Sequence, residues 1–214
     1  MRRSRDGDST REIVIQSARE VFAERGFQGA SLKMISDRCG VSTGLILHHF
    51  KSKKDLHKIV LAGLASEYFN ALSQAGQGSG SPDQAAETML RETFKFWNED
   101  TAYQRMSLWA YLENQAQWVE GEMKLTAWLA SAIRQMQAAG MADSSISPFV
   151  LLTMTIGPID FWMRYKKFFK EALQLDGSAG DLDQMFLEQY LNLIRKIYRD
   201  KREERESQTN EGNK

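Results

Sequence analysis

The chain has 214 residues, of which 42% are hydrophobic, and its 28 Lys and Arg residues balance 28 Asp and Glu residues. Its single cysteine excludes an internal disulfide, and there is no apolar run of about 18 residues that could cross a membrane. Because the first residues also lack the apolar segment of a signal peptide, we expect a cytoplasmic protein with enough apolar material for a small module and a larger core domain.

The spacing of apolar residues predicts an all-α fold, since strand-like alternation is absent. Ser9 and Glu12 form a capping box that predicts the start of the first helix, and Gly26 predicts its end. We expect the further helices, N-caps included, at about 31–39, 42–50, 53–74, 82–98, 101–116, 118–139, 148–172 and 181–203. A flexible loop is predicted at 75–81, and a frayed polar end from residue 201.

Residues 31–54 predict two short helices joined at a glycine. Ser31 should cap the first helix and Gly40 should end it, while Ser42 should cap the second. On the second helix Ile46 and Phe50, four residues apart, would face the core. The opposite face would carry Thr43, Gly44, Leu47 and His48. A short helix with small or hydrogen-bonding residues on its outer face, flanked by lysines, is typical of a helix-turn-helix that enters a DNA major groove.

The zero net charge conceals an asymmetry along the chain. Residues 1–54 contain 11 Lys or Arg against 6 Asp or Glu, whereas the remainder contains 17 against 22. Because phosphate attraction supplies most nonspecific affinity for nucleic acid, this balance favours DNA binding by the first part alone.

Residues 9–60 resemble the N-terminal domain of the tetracycline-repressor (TetR) family of bacterial transcriptional regulators. The order of Gly26-Phe27, the helix-turn-helix and Phe50-Lys51-Ser52-Lys53 carries the resemblance. It implies a one-component regulator, with a repressor favoured, in which a homodimer binds a palindromic operator on double-stranded DNA and a small-molecule effector releases it. We expect a DNA-binding domain at 1–54, a helical effector-binding and dimerisation domain at 55–204, and a polar tail at 205–214.

The resemblance also assigns roles within the motif. Ser31, Lys33, His49 and Lys53 match family positions that contact phosphates, and Leu45 occupies a position where the family often has a polar base reader. Thr43 should contact a base edge, and Gly44 should permit close approach to the DNA backbone. The family often has a tyrosine near positions 47 and 48, where this chain has leucine and histidine. The complete predicted DNA-binding set is Ser31, Lys33, Ser42, Thr43, Gly44, Leu45, Leu47, His48, His49 and Lys53.

The last two predicted helices are unusually apolar, which favours a two-fold dimer over ordinary core packing. The expected interface is Phe161, Phe186, Tyr190, Leu193, Ile194 and Ile197. In TetR-like proteins these two helices form a four-helix bundle with those of the partner chain. Pro158 lies inside the first of them and should kink it.

All five tryptophans lie in residues 97–162, outside the DNA-binding module. Rigid rings and adaptable methionines suit a pocket for an apolar or aromatic effector, although such residues at helical spacing are more often core. The predicted effector pocket is Trp97, Met106, Trp109, Tyr111, Trp128 and Trp162.

An enzyme is the alternative of a different class. The three histidines all lie at or beside the helix-turn-helix, and no metal-binding, phosphate-binding or nucleophile motif occurs. We therefore expect no catalytic residues, no metal and no cofactor. A helical adaptor, or an activator without a small-molecule ligand, is the remaining alternative, but an adaptor would leave the outer face at Thr43 and Gly44 unexplained.

Overall fold

The computed structural model of the chain describes the backbone of residues 2–77, 82–114 and 120–211, and the side chains of residues 8–77, 84–114 and 123–196. Over these residues the chain is α-helical with no strand, which confirms the predicted fold class. The helices are α1 (Arg2–Gly29), α2 (Leu32–Cys39), α3 (Thr43–Phe50), α4 (Lys53–Gln77), α5 (Pro82–Glu99), α6 (Ala102–Leu112), α7 (Glu120–Ala138), α8 (Pro148–Ala172) and α9 (Ala179–Glu211).

The helices divide into two compact units that are not contiguous in sequence. Residues 1–70 and 99–124 form the first unit, and residues 71–98 and 125–214 form the second. The first unit therefore contains α1, α2, α3, most of α4, α6 and the first turn of α7. Its core is built from fully buried side chains of these helices, among them Val14, Phe22, Ile35, Phe50 and Met106.

Helix α1 departs from the prediction at its start and agrees with it near its end. The helix begins at Arg2 rather than at Ser9, so the expected capping box does not mark its first turn. Gly26 has φ +71° and ψ −178°, which interrupts the regular helix at the predicted position. A residue with a side chain rarely adopts this conformation, and a glycine therefore allows the chain to turn here.

In the second unit, α8 and α9 are joined by a buried polar cluster. The Asp183 carboxylate is 6% exposed and accepts a 2.8 Å hydrogen bond from Trp162 Nε1. Lys166 Nζ lies 2.8 Å from the same carboxylate, so the buried charge is paired. The Phe186 ring stacks on Trp162 with centroids 4.5 Å apart.

Helix α8 continues through Pro158, whose ring nitrogen has no hydrogen to donate to the carbonyl of Met154, four residues earlier. Tyr190 of α9 compensates for this lost bond. Its hydroxyl lies 3.2 Å from Met154 O and 2.6 Å from Thr155 O. The proline is thus accommodated within the helix by a side chain of the neighbouring helix.

The connection between α7 and α8 is held by one amide side chain. Gln137 Nε2 donates 2.7 Å hydrogen bonds to the backbone carbonyls of Asp143 and Ile146. Beneath it, Ile133, Ala142 and Leu151 form a small buried cluster. In the part of the chain that the structure describes, no helix has the length and apolarity needed to cross a membrane.

Candidate nucleic-acid interface

Side-chain caps define both helices of the predicted helix-turn-helix. Ser31 Oγ accepts a 3.2 Å hydrogen bond from the backbone N–H of Met34, and Ser42 Oγ accepts one of 3.3 Å from Leu45. Gly40 ends α2 in the left-handed conformation, with φ +71°. The capping groups are therefore those that the sequence predicted, and they fix the angle at which α3 leaves the turn.

Helix α3 separates a buried face from an exposed one. Ile46 and Phe50 are 0% and 2% exposed and belong to the core of the first unit. The residues predicted to contact bases lie on the remaining surface: Gly44, Leu45, Leu47 and His48 are exposed, and Thr43 is half-buried. Apart from its chain neighbours and the adjacent backbone of its own helix, a Cβ built on Gly44 would meet no atom within 4 Å. Nothing within the protein therefore requires a glycine at this position.

Cationic residues flank the exposed face of α3. Lys33 pairs with Asp37 on the exposed side of α2, with 3.0 Å between Nζ and the carboxylate. An exposed pair of this kind contributes little stability, so the lysine can exchange its partner for a phosphate. Lys51 and Lys54 are exposed where α3 ends and α4 begins, and His49 is half-buried beside Phe50.

Lys53 differs from these lysines because its ammonium is used inside the protein. Lys53 Nζ donates hydrogen bonds of 2.7 Å to the carbonyl of Phe27 and 2.8 Å to that of Ala30. It also lies 4.4 Å from the centroid of the Phe27 ring, in a cation–π arrangement. The side chain predicted to contact phosphate thus joins the start of α4 to the segment between α1 and α2.

His57 lies next to this contact, one turn further along α4. Its ring packs edge-on against Phe22 and Phe27, with centroids 4.7 and 5.1 Å apart. Burial, and secondarily the positive charge of Lys53, lowers the pKa of His57 to about 4. The imidazole is therefore neutral at physiological pH and belongs to the core rather than to the cationic surface.

Two side chains of α6 and that of Glu113, the residue after it, hold the end of α1, a role that the sequence did not predict for them. Arg105 Nε and Trp109 Nε1 donate to the carbonyl of Ala23 at 2.8 and 3.3 Å. The Glu113 carboxylate accepts hydrogen bonds from the backbone N–H groups of Phe27, at 3.2 Å, and Gln28, at 2.9 Å. These contacts surround Gly26 and satisfy backbone groups that its break leaves outside the helical ladder.

The same region matches a known family. Residues 14–58 match the model of the bacterial regulatory proteins of the tetR family. This part of the chain is therefore similar to the regulatory proteins of the tetR family. The HTH-type transcriptional regulator UidR of Escherichia coli (strain K12) is 39% identical to it over 56 residues, which are 26% of this chain and 29% of UidR. This single match covers less than a third of the length of that relative.

Solved structures extend the likeness of fold to most of the chain. A TetR family transcription regulator from Marinobacter aquaeolei superposes with a TM-score of 0.71 at 14% identity, covering 90% of this chain and 97% of that one. The transcriptional regulator FadR from Bacillus subtilis, solved in complex with stearoyl-CoA, gives a TM-score of 0.61 at 16% identity, covering 84% and 97%.

The residues predicted for a dimer interface occupy different environments in the structure. Phe161 and Leu193 are 52% and 54% exposed. Tyr190 and Phe186 instead lie inside the second unit, where Tyr190 bonds to α8 and Phe186 stacks on Trp162. Ile194 lines a cavity of this unit. The side chain of Ile197 lies outside the described residues.

The predicted effector residues are likewise distributed over several places. Met106 is in the core of the first unit, Trp109 packs beside Gly26, and Tyr111 is 77% exposed. In the second unit Trp97 is buried, and Trp162 belongs to the α8–α9 cluster. Only Trp128, of the six predicted residues, lines the cavity of about 650 Å³ in the second unit. Among the residues with described side chains, no cluster of His, Cys, Asp and Glu could hold a metal ion.

Proposed function

We propose that the chain is a one-component transcriptional regulator, with repression favoured, that binds operator DNA through the exposed face of α3 and is released by a small-molecule effector. The observation that supports this most directly is the open surface around Gly44. This glycine lies on a capped helix, between exposed side chains and near exposed lysines. Packing inside the protein does not explain why the residue is a glycine. DNA contact supplies a reason, because a groove-binding helix must approach the duplex closely.

Assembly as a homodimer is supported by an apolar stripe on α8. Met154, Phe161, Tyr165 and Phe168 are 64%, 52%, 45% and 60% exposed and follow one another at intervals of seven, four and three residues. This spacing keeps side chains on one face of a helix and is typical of helix–helix seams. Large exposed apolar patches mark interaction sites, and a second copy of the chain would cover this one with an identical surface.

The effector part of the proposal is supported by the cavity in the second unit and by the likeness of fold to FadR from Bacillus subtilis, which was solved with stearoyl-CoA. Helix α4 carries both Lys53, which holds the end of α1, and Leu72, which lines the cavity. A ligand that shifts α4 would change the position of the recognition helix and therefore the affinity for DNA, and operator would reciprocally weaken ligand binding.

The test is a comparison of two glycine-to-alanine variants. Duplex DNA selected from a random pool by the wild-type protein serves as the ligand, and affinity is measured over a range of salt concentrations. Gly44→Ala should fold normally, since the added methyl group meets no protein atom, but should bind the selected DNA at least about tenfold more weakly. Gly63→Ala, on α4, is the matched control because its Cβ would also meet nothing within 4 Å.

Equal affinity of both variants and wild type would show that α3 does not approach DNA through Gly44. If wild-type protein retains no duplex DNA at low salt, the regulator proposal is wrong, and the helical-adaptor alternative takes its place. Thr43→Ala tests base reading separately: preference should relax at a single base pair while folding is kept.

A further inference from the structure

The side chains that line the cavity of the second unit indicate which class of small molecule could bind there as the effector. It has a volume of about 650 Å³, within the range of sites that enclose drug-sized ligands. Side chains of α4, α5, α7, α8 and α9 line it, and most of them are leucine, isoleucine, alanine or methionine. Trp128 contributes an aromatic wall.

The polar side chains of the lining are neutral. They are Thr93, Ser131, Gln135 and Thr155, and the described lining contains no Asp, Glu, Lys, Arg or His. The Thr155 hydroxyl already donates a 2.7 Å hydrogen bond to the carbonyl of Leu151. Hydroxyl and amide groups of this kind can orient an alcohol, ketone, ester or amide, but none of them can neutralise a carboxylate or a phosphate.

Charged groups next to the lining residues of α5 are engaged with one another. Glu87 accepts hydrogen bonds from Arg195, with Nε at 2.9 Å, and from Arg91, while Arg91 also bonds to Glu188 at 2.7 Å. Hydrogen bonding from Arg195, followed by that from Arg91, lowers the pKa of Glu87, so this carboxylate stays charged and paired near neutral pH. Arg134, which adjoins lining residues on α7, is exposed and does not line the cavity.

We propose, on the basis of the regulator function above, that the effector is an uncharged, mainly apolar molecule with one or two neutral polar groups. A ligand with a buried anionic group would leave that charge unpaired in an apolar cavity, which is strongly unfavourable. Met89, Met136 and Met141 contribute flexible side chains to the wall. These methionines can adapt to the outline of a rigid ligand.

The experiment uses two fluorescent probes of nearly equal shape, the neutral pyrenylmethanol and the anionic pyrene carboxylate. Each is titrated into the full-length protein at neutral pH, and binding is followed by energy transfer from tryptophan to pyrene. The neutral probe should bind at least about tenfold more tightly. Ala132→Phe, which places a ring in the cavity, should abolish its binding, whereas Ala127→Phe, at an exposed position of the same helix outside the lining, should leave it unchanged.

Equal or tighter binding of the anionic probe would overturn the proposal, and so would binding of neither probe. Neutral-probe binding that survives in Ala132→Phe would place the ligand elsewhere and would also refute it. Affinity of the same variants for the selected duplex DNA is measured in parallel. A protein that binds DNA but not the neutral probe contradicts only the ligand class, whereas one that binds the probe but not DNA contradicts the regulator function.

Discussion

Replacing Lys53 with methionine should lower the free energy of unfolding of the protein. It should change the salt dependence of DNA binding little. The substitution keeps an unbranched side chain of similar length but removes the ammonium group that bonds to the carbonyls of Phe27 and Ala30. Hydrogen bonds to a charged group contribute about 1.5–3 kcal/mol each, and a cation–π contact at a partly exposed site adds about 0.5–1 kcal/mol. Because these contributions overlap and water can reach the freed carbonyls, we expect a loss of about 2–4 kcal/mol.

Lys54→Met is the matched control, since it removes the same charge from the same turn of α4 at an exposed position. Chemical unfolding followed by circular dichroism should show a change within about 0.5 kcal/mol for this variant. Operator affinity is then measured against salt under conditions in which both proteins are folded. If Lys53→Met leaves stability intact but lowers the log–log salt slope by about 0.9, its ammonium contacts a phosphate and the structural role argued above is wrong.

Further predictions concern three other side chains. The folded chain keeps His57 neutral down to about pH 4, whereas the unfolded chain protonates it near pH 6.5. The neutral, buried imidazole should contribute about 1–3 kcal/mol to the free energy of unfolding, fully present above pH 6.5 and lost as the pH falls to about 4. Over this range the free energy of unfolding of His57→Phe should therefore vary less with pH than that of wild type. Tyr190→Phe should lose about 1–2 kcal/mol in chemical unfolding, because the Met154 and Thr155 carbonyls lose a donor; an unchanged stability would contradict this role. Leu193→Glu should give a folded monomer by light scattering, whereas a stable dimer of this variant would exclude Leu193 from the dimer interface.

Local chemistry explains why so much of the helix-turn-helix could be predicted from the sequence. Ser31, Gly40 and Ser42 act on backbone groups within three or four residues of themselves, so their roles can be inferred without knowing the rest of the fold. The inward positions of Ile46 and Phe50 follow from helical periodicity alone. The predicted start of α1 was wrong because a capping box allows a helix to begin there without requiring it. Helix-compatible residues before the box can extend the helix.

Contacts between residues that are distant in sequence determine the surroundings of several other predicted residues. Lys53 carries a charge in a cationic segment, but its partners are carbonyls more than twenty residues earlier. Tyr190 is apolar enough to suggest a dimer interface, whereas its hydroxyl bonds to two backbone carbonyls of α8 that precede Pro158. The cavity of the second unit contains only Trp128 of the six residues predicted for an effector pocket, because tryptophan density does not distinguish a cavity wall from a packed core.

The arrangement of α6 against α1 has a consequence for synthesis of the protein on the ribosome. The side chains that surround Gly26 are those of Arg105, Trp109 and Glu113. They are separated from residues 1–70 of the first unit by residues 71–98, which belong to the second unit. The nascent chain therefore cannot complete its first unit until α6 has left the exit tunnel, some eighty residues after Gly26. A fragment that stops after α4 should protect the amides of α1 less well against hydrogen exchange than the full chain does. The helix-turn-helix is translated before α5 and α6, yet the side chains that hold the end of α1 are translated only after α5.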